Sequence, residues 1–133
     1  MRRLPAIAAV GITFLCLVNV SAQDEKDVGL SRDYDACMEK SGGVTSKMLD
    51  CIEAETERQE ARLNRIYKEI MAQLDGAAKK RLREAQQAWI KFRDANVDFY
   101  RDPNGGTAAT VAGADKYLVM TAQRASELEK FKE

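Results

Sequence analysis

Apolar residues between positions 78 and 99, with one asparagine among them, recur at alternating steps of four and three residues. The positions are Ala78, Leu82, Ala85, Trp89, Phe92, Asn96 and Phe99. This heptad spacing predicts an α-helix that packs one face against neighbouring helices. No segment of the chain shows the apolar–polar alternation of a β-strand, so the spacing favours an all-α fold.

Similar spacings predict helices on both sides of this one. A long helix is expected to start at Thr45 or Ser46, either of which can cap it, and to end near Gly76. Its apolar positions are Met48, Ile52, Leu63, Ile66, Ile70 and Leu74, with Thr56 and Gln59 filling the gaps. A last helix should follow the Asp102-Pro103-Asn104-Gly105-Gly106 turn, and Gly113 is expected to fray its start.

The N-terminal half of the chain is expected to contribute a shorter helix. Residues 23–33 are polar and lack periodicity, so we expect a flexible polar leader there. A short helix should run over 34–40 and stop at Ser41-Gly42-Gly43, because glycine accepts the left-handed cap conformation. The predicted fold of 34–133 is an antiparallel three-helix bundle with a short additional N-terminal helix tied on by one disulfide.

The first 22 residues have the pattern of a secretory signal peptide. Arg2 and Arg3 precede an apolar stretch over 4–18, and Val20-Ser21-Ala22 offers small residues for cleavage before Gln23. The predicted location is therefore periplasmic or secreted, with no membrane association beyond the signal peptide. The alternatives are an uncleaved anchor, for which the apolar run is slightly short, and lipidation at Cys16, which Phe14-Leu15 disfavour.

The cysteine count agrees with export. Removal of Cys16 with the signal leaves Cys37 and Cys51, an even number suited to an oxidising compartment. Their disulfide would close a 15-residue loop, which stabilises a chain by about 3 kcal/mol. A redox or metal role is the alternative, but the spacing is not CxxC and the chain contains no histidine.

Charge is unevenly distributed along the processed chain. Without Arg2 and Arg3 it has 19 basic and 21 acidic residues, which is not the basic excess of a nucleic-acid-binding protein. Residues 23–57 carry a net charge of −6, and residues 58–133 carry +4. The acidic part would suit a cationic partner, although solvated helices also carry many charges.

The residue types needed for common catalytic sites are missing. Without histidine, no Ser/His/Asp or Cys/His set can form. A pair of carboxylates, as in glycosidases, is the alternative that the sequence leaves open. The prediction is a protein that is not an enzyme and uses no cofactor or metal.

Several blocks, in this order and spacing, resemble the LprI-like family of small exported proteins, which is named for a lysozyme inhibitor. They are Asp50-Cys51, Leu-Asn-Arg-Ile-Tyr at 63–67, Leu-Arg-Glu-Ala-Gln at 82–86, Gln-Gln-Ala-Trp-Ile-Lys-Phe-Arg-Asp-Ala at 86–95, Gly-Gly-Thr at 105–107 and Thr-Ala-Gln-Arg-Ala-Ser-Glu-Leu at 121–128. The resemblance covers residues 35–131. Members often carry a second cysteine pair, whose places here hold Val97 and, approximately, Lys116, so the resemblance implies a looser glycine turn.

The resemblance implies a secreted protein that binds another protein, for which a cationic lysozyme-type hydrolase is the candidate. The alternative is an envelope interaction or adaptor module that does not affect lysozyme. The residues that carry the signature are Leu63, Asn64, Tyr67, Gln86, Trp89, Arg93, Asp94, Arg124 and Leu128. We expect them to be structural: Trp89 as a core aromatic, and Arg93 or Arg124 as a clamp between helices that Asn64, Gln86 and Tyr67 join.

Overall fold

The computed structural model describes residues 28–132, and this part of the chain contains four helices and no strand. The helices are α1 (Arg32–Ser41), α2 (Thr45–Gln73), α3 (Gly76–Tyr100) and α4 (Gly106–Lys132). The predicted signal peptide lies outside the described residues. The all-α prediction is confirmed.

Side-chain or glycine caps define three of the described helix ends. Ser31 caps α1 by accepting a hydrogen bond from the Tyr34 backbone, and Gly42 ends it with φ of 59°, in the left-handed conformation predicted for this turn. Asp75 caps α3 through the Ala78 backbone, so Gly76 begins a helix rather than ending one. The start of α2 at Thr45 is confirmed, but its cap residue is Val44, with no side-chain hydrogen bond.

The last helix is the centre of the fold. Both α2 and α3 pack on α4 and only slightly on each other, while α1 packs on α2. Contacts advance in the same direction along α2 and α4, from Ile52 with Leu118 to Glu69 with Lys132, so these two helices are parallel. Helix α3 runs antiparallel to both. The up-down-up order is confirmed, with α4 placed between its neighbours.

Two apolar clusters form the core. One joins α1, α2 and α4 through Tyr34, Cys51, Ile52 and Leu118. The other, nearer the α2–α3 turn, contains Leu63, Ile66, Ile70, Ala125 and Leu128, with Tyr67, Leu74, Leu82 and Trp89 packed against it. Ile66 and Leu118 are fully buried, and burying such a side chain stabilises a fold by roughly 1.5–3 kcal/mol.

The heptad face of α3 is only partly covered. Trp89 packs against the core, but Phe92 is 61% exposed and Phe99 is 80% exposed. The helix prediction over 78–99 is confirmed, whereas the expected packing along the whole face is wrong. The reason is that α3 packs on α4 mainly through a neighbouring face, on which Arg93 and Val97 are buried.

The predicted disulfide is present. Cys37 on α1 and Cys51 on α2 are bonded, with their Cα atoms 5.7 Å apart. Cys51 belongs to the core, so the bond fixes α1 against the first turns of α2.

The segment before α1 differs from the flexible leader expected over 23–33. Val28 is 6% exposed, and α1 begins at Arg32. Arg62 and Ser126 both donate hydrogen bonds to the Val28 carbonyl, at 3.0 and 3.1 Å. These contacts bind residues 28–31 to α2 and α4. Residues 23–27 lie outside the described part.

Two contacts join α3 and α4 near their turn, where family members often carry a second cysteine pair that this chain lacks. Gly113 is buried, and a Cβ atom there would lie 3.0 Å from the Arg101 Cβ, so its lack of a side chain allows the close approach. Lys116 places its ammonium 4.9 Å from the centre of the Tyr100 ring. Within the described residues, none of the four helices combines the length and apolar character required to cross a bilayer.

Candidate functional site: a signature cluster and an acidic groove

The family-signature residues do not form one surface patch. Leu63 and Leu128 belong to the core, and Tyr67 packs against it. Asn64 is exposed on α2. The remaining signature residues, together with Tyr117, form a polar and aromatic cluster between α3 and α4, which we call the signature cluster; they are Gln86, Trp89, Arg93, Asp94 and Arg124.

Arg93 joins α3 to α4 by stacking. Its guanidinium carbon lies 4.0 Å from the centre of the Tyr117 ring and 5.0 Å from that of Trp89. The guanidinium also donates two hydrogen bonds to Asp94, at 2.9 and 3.0 Å. Arg93 is thus nearly buried without being unpaired; it contacts α4 through an aromatic ring, and the acid it pairs with lies on its own helix.

Arg124 makes the second connection. From α4 it donates a 3.0 Å hydrogen bond to the side-chain oxygen of Gln86 on α3. It also pairs with Glu127 on its own helix and lies 5.9 Å from the Trp89 ring centre. Trp89 therefore lies within reach of two arginines while it packs against the core.

Tyr117 extends the signature cluster to α2. Its hydroxyl donates a 2.5 Å hydrogen bond to Glu60. Burial, reinforced by this bond, raises the pKa of Tyr117 to about 12, so the hydroxyl remains a donor at neutral pH. Neither residue was predicted as part of a site. The available signal for Tyr117 was its place beside the helically spaced positions of the predicted last helix, which are Ala114, Leu118, Thr121, Ala125 and Leu128.

Removing the Arg93 guanidinium should lower the free energy of unfolding more than removing the charge of its partner Asp94. Arg93→Met keeps the length of the side chain but loses both stacking contacts, so we expect the free energy of unfolding to fall by about 1 kcal/mol. Asp94→Asn should change it by less than about 0.5 kcal/mol, because Asp94 is 54% exposed. Urea unfolding measures both; a larger effect for Asp94→Asn would contradict the stacking role.

A groove opens next to the Tyr117–Glu60 hydrogen bond. Its volume is about 390 Å³, and it lies between α2, the end of α3 and the surface of α4. Ile52, Ala114, Tyr117 and Arg101 are among the residues that line it. The α2 wall carries three acids at helical spacing, Glu53, Glu57 and Glu60. We call this feature the acidic groove.

Part of the negative charge of segment 23–57 lies at the acidic groove. Glu53 and Glu57 belong to the net-negative segment 23–57, and both are exposed. Glu55 from the same segment is fully buried and does not contribute to the surface. The outward acids of α2 therefore face a concave surface with apolar residues in its lining, an arrangement suited to a positively charged and partly apolar protein surface.

Glu55 is a charged core residue that the apolar pattern did not predict. It accepts hydrogen bonds from the Ser31 backbone and hydroxyl, from Gln59 and from Arg58. Burial alone would raise its pKa, but these hydrogen bonds together outweigh burial and lower it. The available signal was its position between Ile52 and Gln59 on the apolar face of α2. Within residues 28–132, no group of three or more potential ligands could hold a metal ion.

These features define a small, disulfide-linked helical protein with a shallow, charged groove on its surface. The chain matches the family described as lysozyme inhibitor LprI over residues 37–128, and it therefore belongs to that family. This confirms the resemblance found in the sequence blocks. Comparisons with curated proteins and with solved structures gave no significant match.

Proposed function

We propose that this chain is an exported protein that binds and inhibits a lysozyme-type cell-wall hydrolase by direct protein–protein contact. The observation that carries the proposal is its membership of the lysozyme inhibitor family, whose match spans residues 37–128. That span includes the disulfide, the signature cluster and the acidic groove.

Export is part of the proposal. The sequence of residues 1–22 has the three parts of a signal peptide. The Cys37–Cys51 bond supports a location in the periplasm or outside the cell, because disulfides form and persist in oxidising compartments. A lysozyme acting on the cell wall would meet the protein there.

The acidic groove is the contact surface that we assign to the hydrolase. C-type lysozymes are cationic, and complementary charge accelerates encounter and orients the two proteins. Glu53 and Glu57 are exposed on the α2 wall, while Ile52 and Ala114 offer apolar contact within the groove. The glutamates would thus attract the cationic partner, and the apolar side chains of the groove would pack against it.

The direct test is lysozyme activity in the presence of the purified, processed chain. We expect inhibition at a near-stoichiometric ratio, weakened by added salt because exposed charges are screened. Replacing Glu53 and Glu57 together by lysine should weaken inhibition at least about tenfold by converting attraction into repulsion.

A matched control separates the groove from overall charge. Asp33→Lys with Glu39→Lys makes the same change in net charge on α1, where both acids are exposed and neither lines the acidic groove. Its inhibition should stay within about threefold of the parent protein. Equal losses in both double variants would reject the groove as the contact surface. No inhibition by the parent chain at large excess and low salt would reject the function itself.

A further inference from the structure

Another groove opens between the first half of α3 and the last turns of α4, and we call it the apolar groove. Its volume is about 680 Å³, within the range of roughly 300–1,000 Å³ that is typical of small-molecule sites. Six of its lining residues are apolar; they are Leu74, Ala78, Leu82, Ala85, Leu128 and Phe131. It shares no lining residue with the acidic groove, so a ligand bound there would define a function separate from the proposed contact with a hydrolase.

The apolar groove extends along both helices. Ala78 and Ala85 are seven residues apart on α3, and Arg124 and Phe131 are seven residues apart on α4, so the lining of each helix extends about 10 Å. Phe131 lines the groove and is nevertheless 66% exposed. An exposed apolar lining of this length is suited to an alkyl chain, because each methylene group removed from water favours binding.

The charged residues that line the apolar groove are mostly basic. Three bases and one acid give the lining a net charge of +2. The acid, Glu127, pairs with Arg124 on its own helix at 2.8 Å. The other two bases, Arg81 and Lys130, are exposed, and neither takes part in an ion pair within residues 28–132. Their charges are therefore available to an anion.

Arg81 and Lys130 lie at the same level on the two helices. Helices α3 and α4 are antiparallel, and the hydrogen bond from Arg124 to Gln86 marks their register. Arg81 lies five residues before Gln86, about 8 Å along α3, and Lys130 lies six residues after Arg124, about 9 Å along α4. Because the helices run in opposite directions, both displacements point the same way. One anionic group can therefore meet a guanidinium from α3 and an ammonium from α4.

We propose that the apolar groove binds one molecule of a single-chain anionic amphiphile, of the chemical class of fatty acids. Its alkyl chain lies against Leu82, Ala85 and Leu128, and its carboxylate binds between Arg81 and Lys130. The apolar lining accounts for the chain, and the two cations at one level account for the sign of the head group. A cationic amphiphile with the same chain would meet repulsion instead.

The first test is titration of the processed chain with dodecanoate below its micelle-forming concentration. Calorimetry measures binding, and so does the fluorescence of Trp89, which packs against the core cluster that contains Leu128. We expect one molecule per chain with a Kd below about 1 mM. Decanoate, which is shorter by two methylene groups, should bind several-fold more weakly. Dodecyltrimethylammonium should bind at least about tenfold more weakly than dodecanoate.

Filling the groove tests the location. Ala85→Phe places a large ring in the lining at an exposed helical position, so it should weaken dodecanoate binding at least about tenfold. Ala95→Phe is the matched control, because Ala95 is exposed on the same helix and does not line the groove. Its binding should equal that of the parent protein. Circular dichroism of each variant checks that the helices are retained.

Removing the two cations tests the head-group site. Arg81→Gln with Lys130→Gln should weaken dodecanoate binding at least about fivefold and should not weaken binding of dodecyltrimethylammonium. Arg83→Gln with Lys91→Gln makes the same change in net charge at exposed positions of α3 outside the groove, and it should leave dodecanoate binding within about twofold of the parent.

Absence of dodecanoate binding by the parent protein would overturn the proposal, and so would equal binding of the two head groups. Equal losses in the two charge variants would reject the site between Arg81 and Lys130. Sedimentation with phosphatidylglycerol vesicles by a chain that does not bind dodecanoate would assign this surface to a membrane instead of a single amphiphile, and would equally overturn the proposal.

Discussion

Replacing Cys37 and Cys51 together by alanine is expected to lower the free energy of unfolding by about 3 kcal/mol. The bond closes a loop with a sequence separation of 14, and losing it restores the entropy of that loop to the unfolded chain. The effect concentrates on α1, because a helix of 10 residues is marginal unless it is held against another element.

Thermal unfolding measures the loss of stability, and amide hydrogen exchange shows whether it is concentrated on α1. We expect a melting temperature lower by roughly 10–20 °C and faster exchange in α1, while exchange in α2 and α4 around Ile66 remains slow. Reduction of the parent protein should reproduce the shift, and the same reductant should not affect the alanine variant. An unchanged melting temperature would show that packing alone holds α1.

Glu55→Gln is expected to lower the free energy of unfolding by about 2 kcal/mol at neutral pH. The carboxylate is fully buried and binds the Ser31 backbone, the Ser31 hydroxyl and Arg58, so it holds the N-terminal segment and α1 to α2. An amide cannot accept all of these bonds, and it leaves buried donors less well satisfied. Exposed Glu57→Gln, two residues further on, should change stability by less than about 0.5 kcal/mol.

The Glu55 contribution should depend on pH in a defined direction. Its folded-state pKa lies below the ordinary value of 4.5, so its stabilisation is complete above that value and is lost as the pH falls through the folded-state pKa. Parent protein should therefore lose stability below about pH 4.5, and Glu55→Gln should lose less. The Arg62 hydrogen bond also lowers the pKa of Glu129, so part of the acid dependence remains in the variant.

Urea unfolding between about pH 3 and pH 7 compares the two proteins directly. Faster exchange of the Ser31 amide in Glu55→Gln would show that the N-terminal segment is released. Parallel pH profiles for the parent and the variant would contradict the role assigned to this carboxylate.

The sequence predicted the local structure of the helices better than their packing. Periodicity and the turns at Gly42 and 102–106 located all four helices, because both depend on neighbouring residues. Periodicity shows that a helix has an apolar face but not which element covers it. Phe92 and Phe99 were therefore expected in a core, and the structure leaves them exposed.

The candidate site was predicted only in part. An arginine–aromatic motif near an apolar seam suggested that Trp89, Arg93 and Arg124 meet between helices, and they do meet between α3 and α4. That their role is structural stays a prediction. The link from Tyr117 to Glu60 joins residues 57 positions apart and has no local signal. The acidic groove likewise depends on how α2, α3 and α4 lie in space.

The central position of α4 has a consequence for the order of events during synthesis. Residues 106–132 are made after α2 and α3, yet both of these helices complete their packing on them. Until they emerge, the growing chain has helices but lacks the α4 side chains that pack on Ile66 and Ile70, so this part of the core forms only after α4 has been made. Before that point we expect the chain to remain largely unfolded.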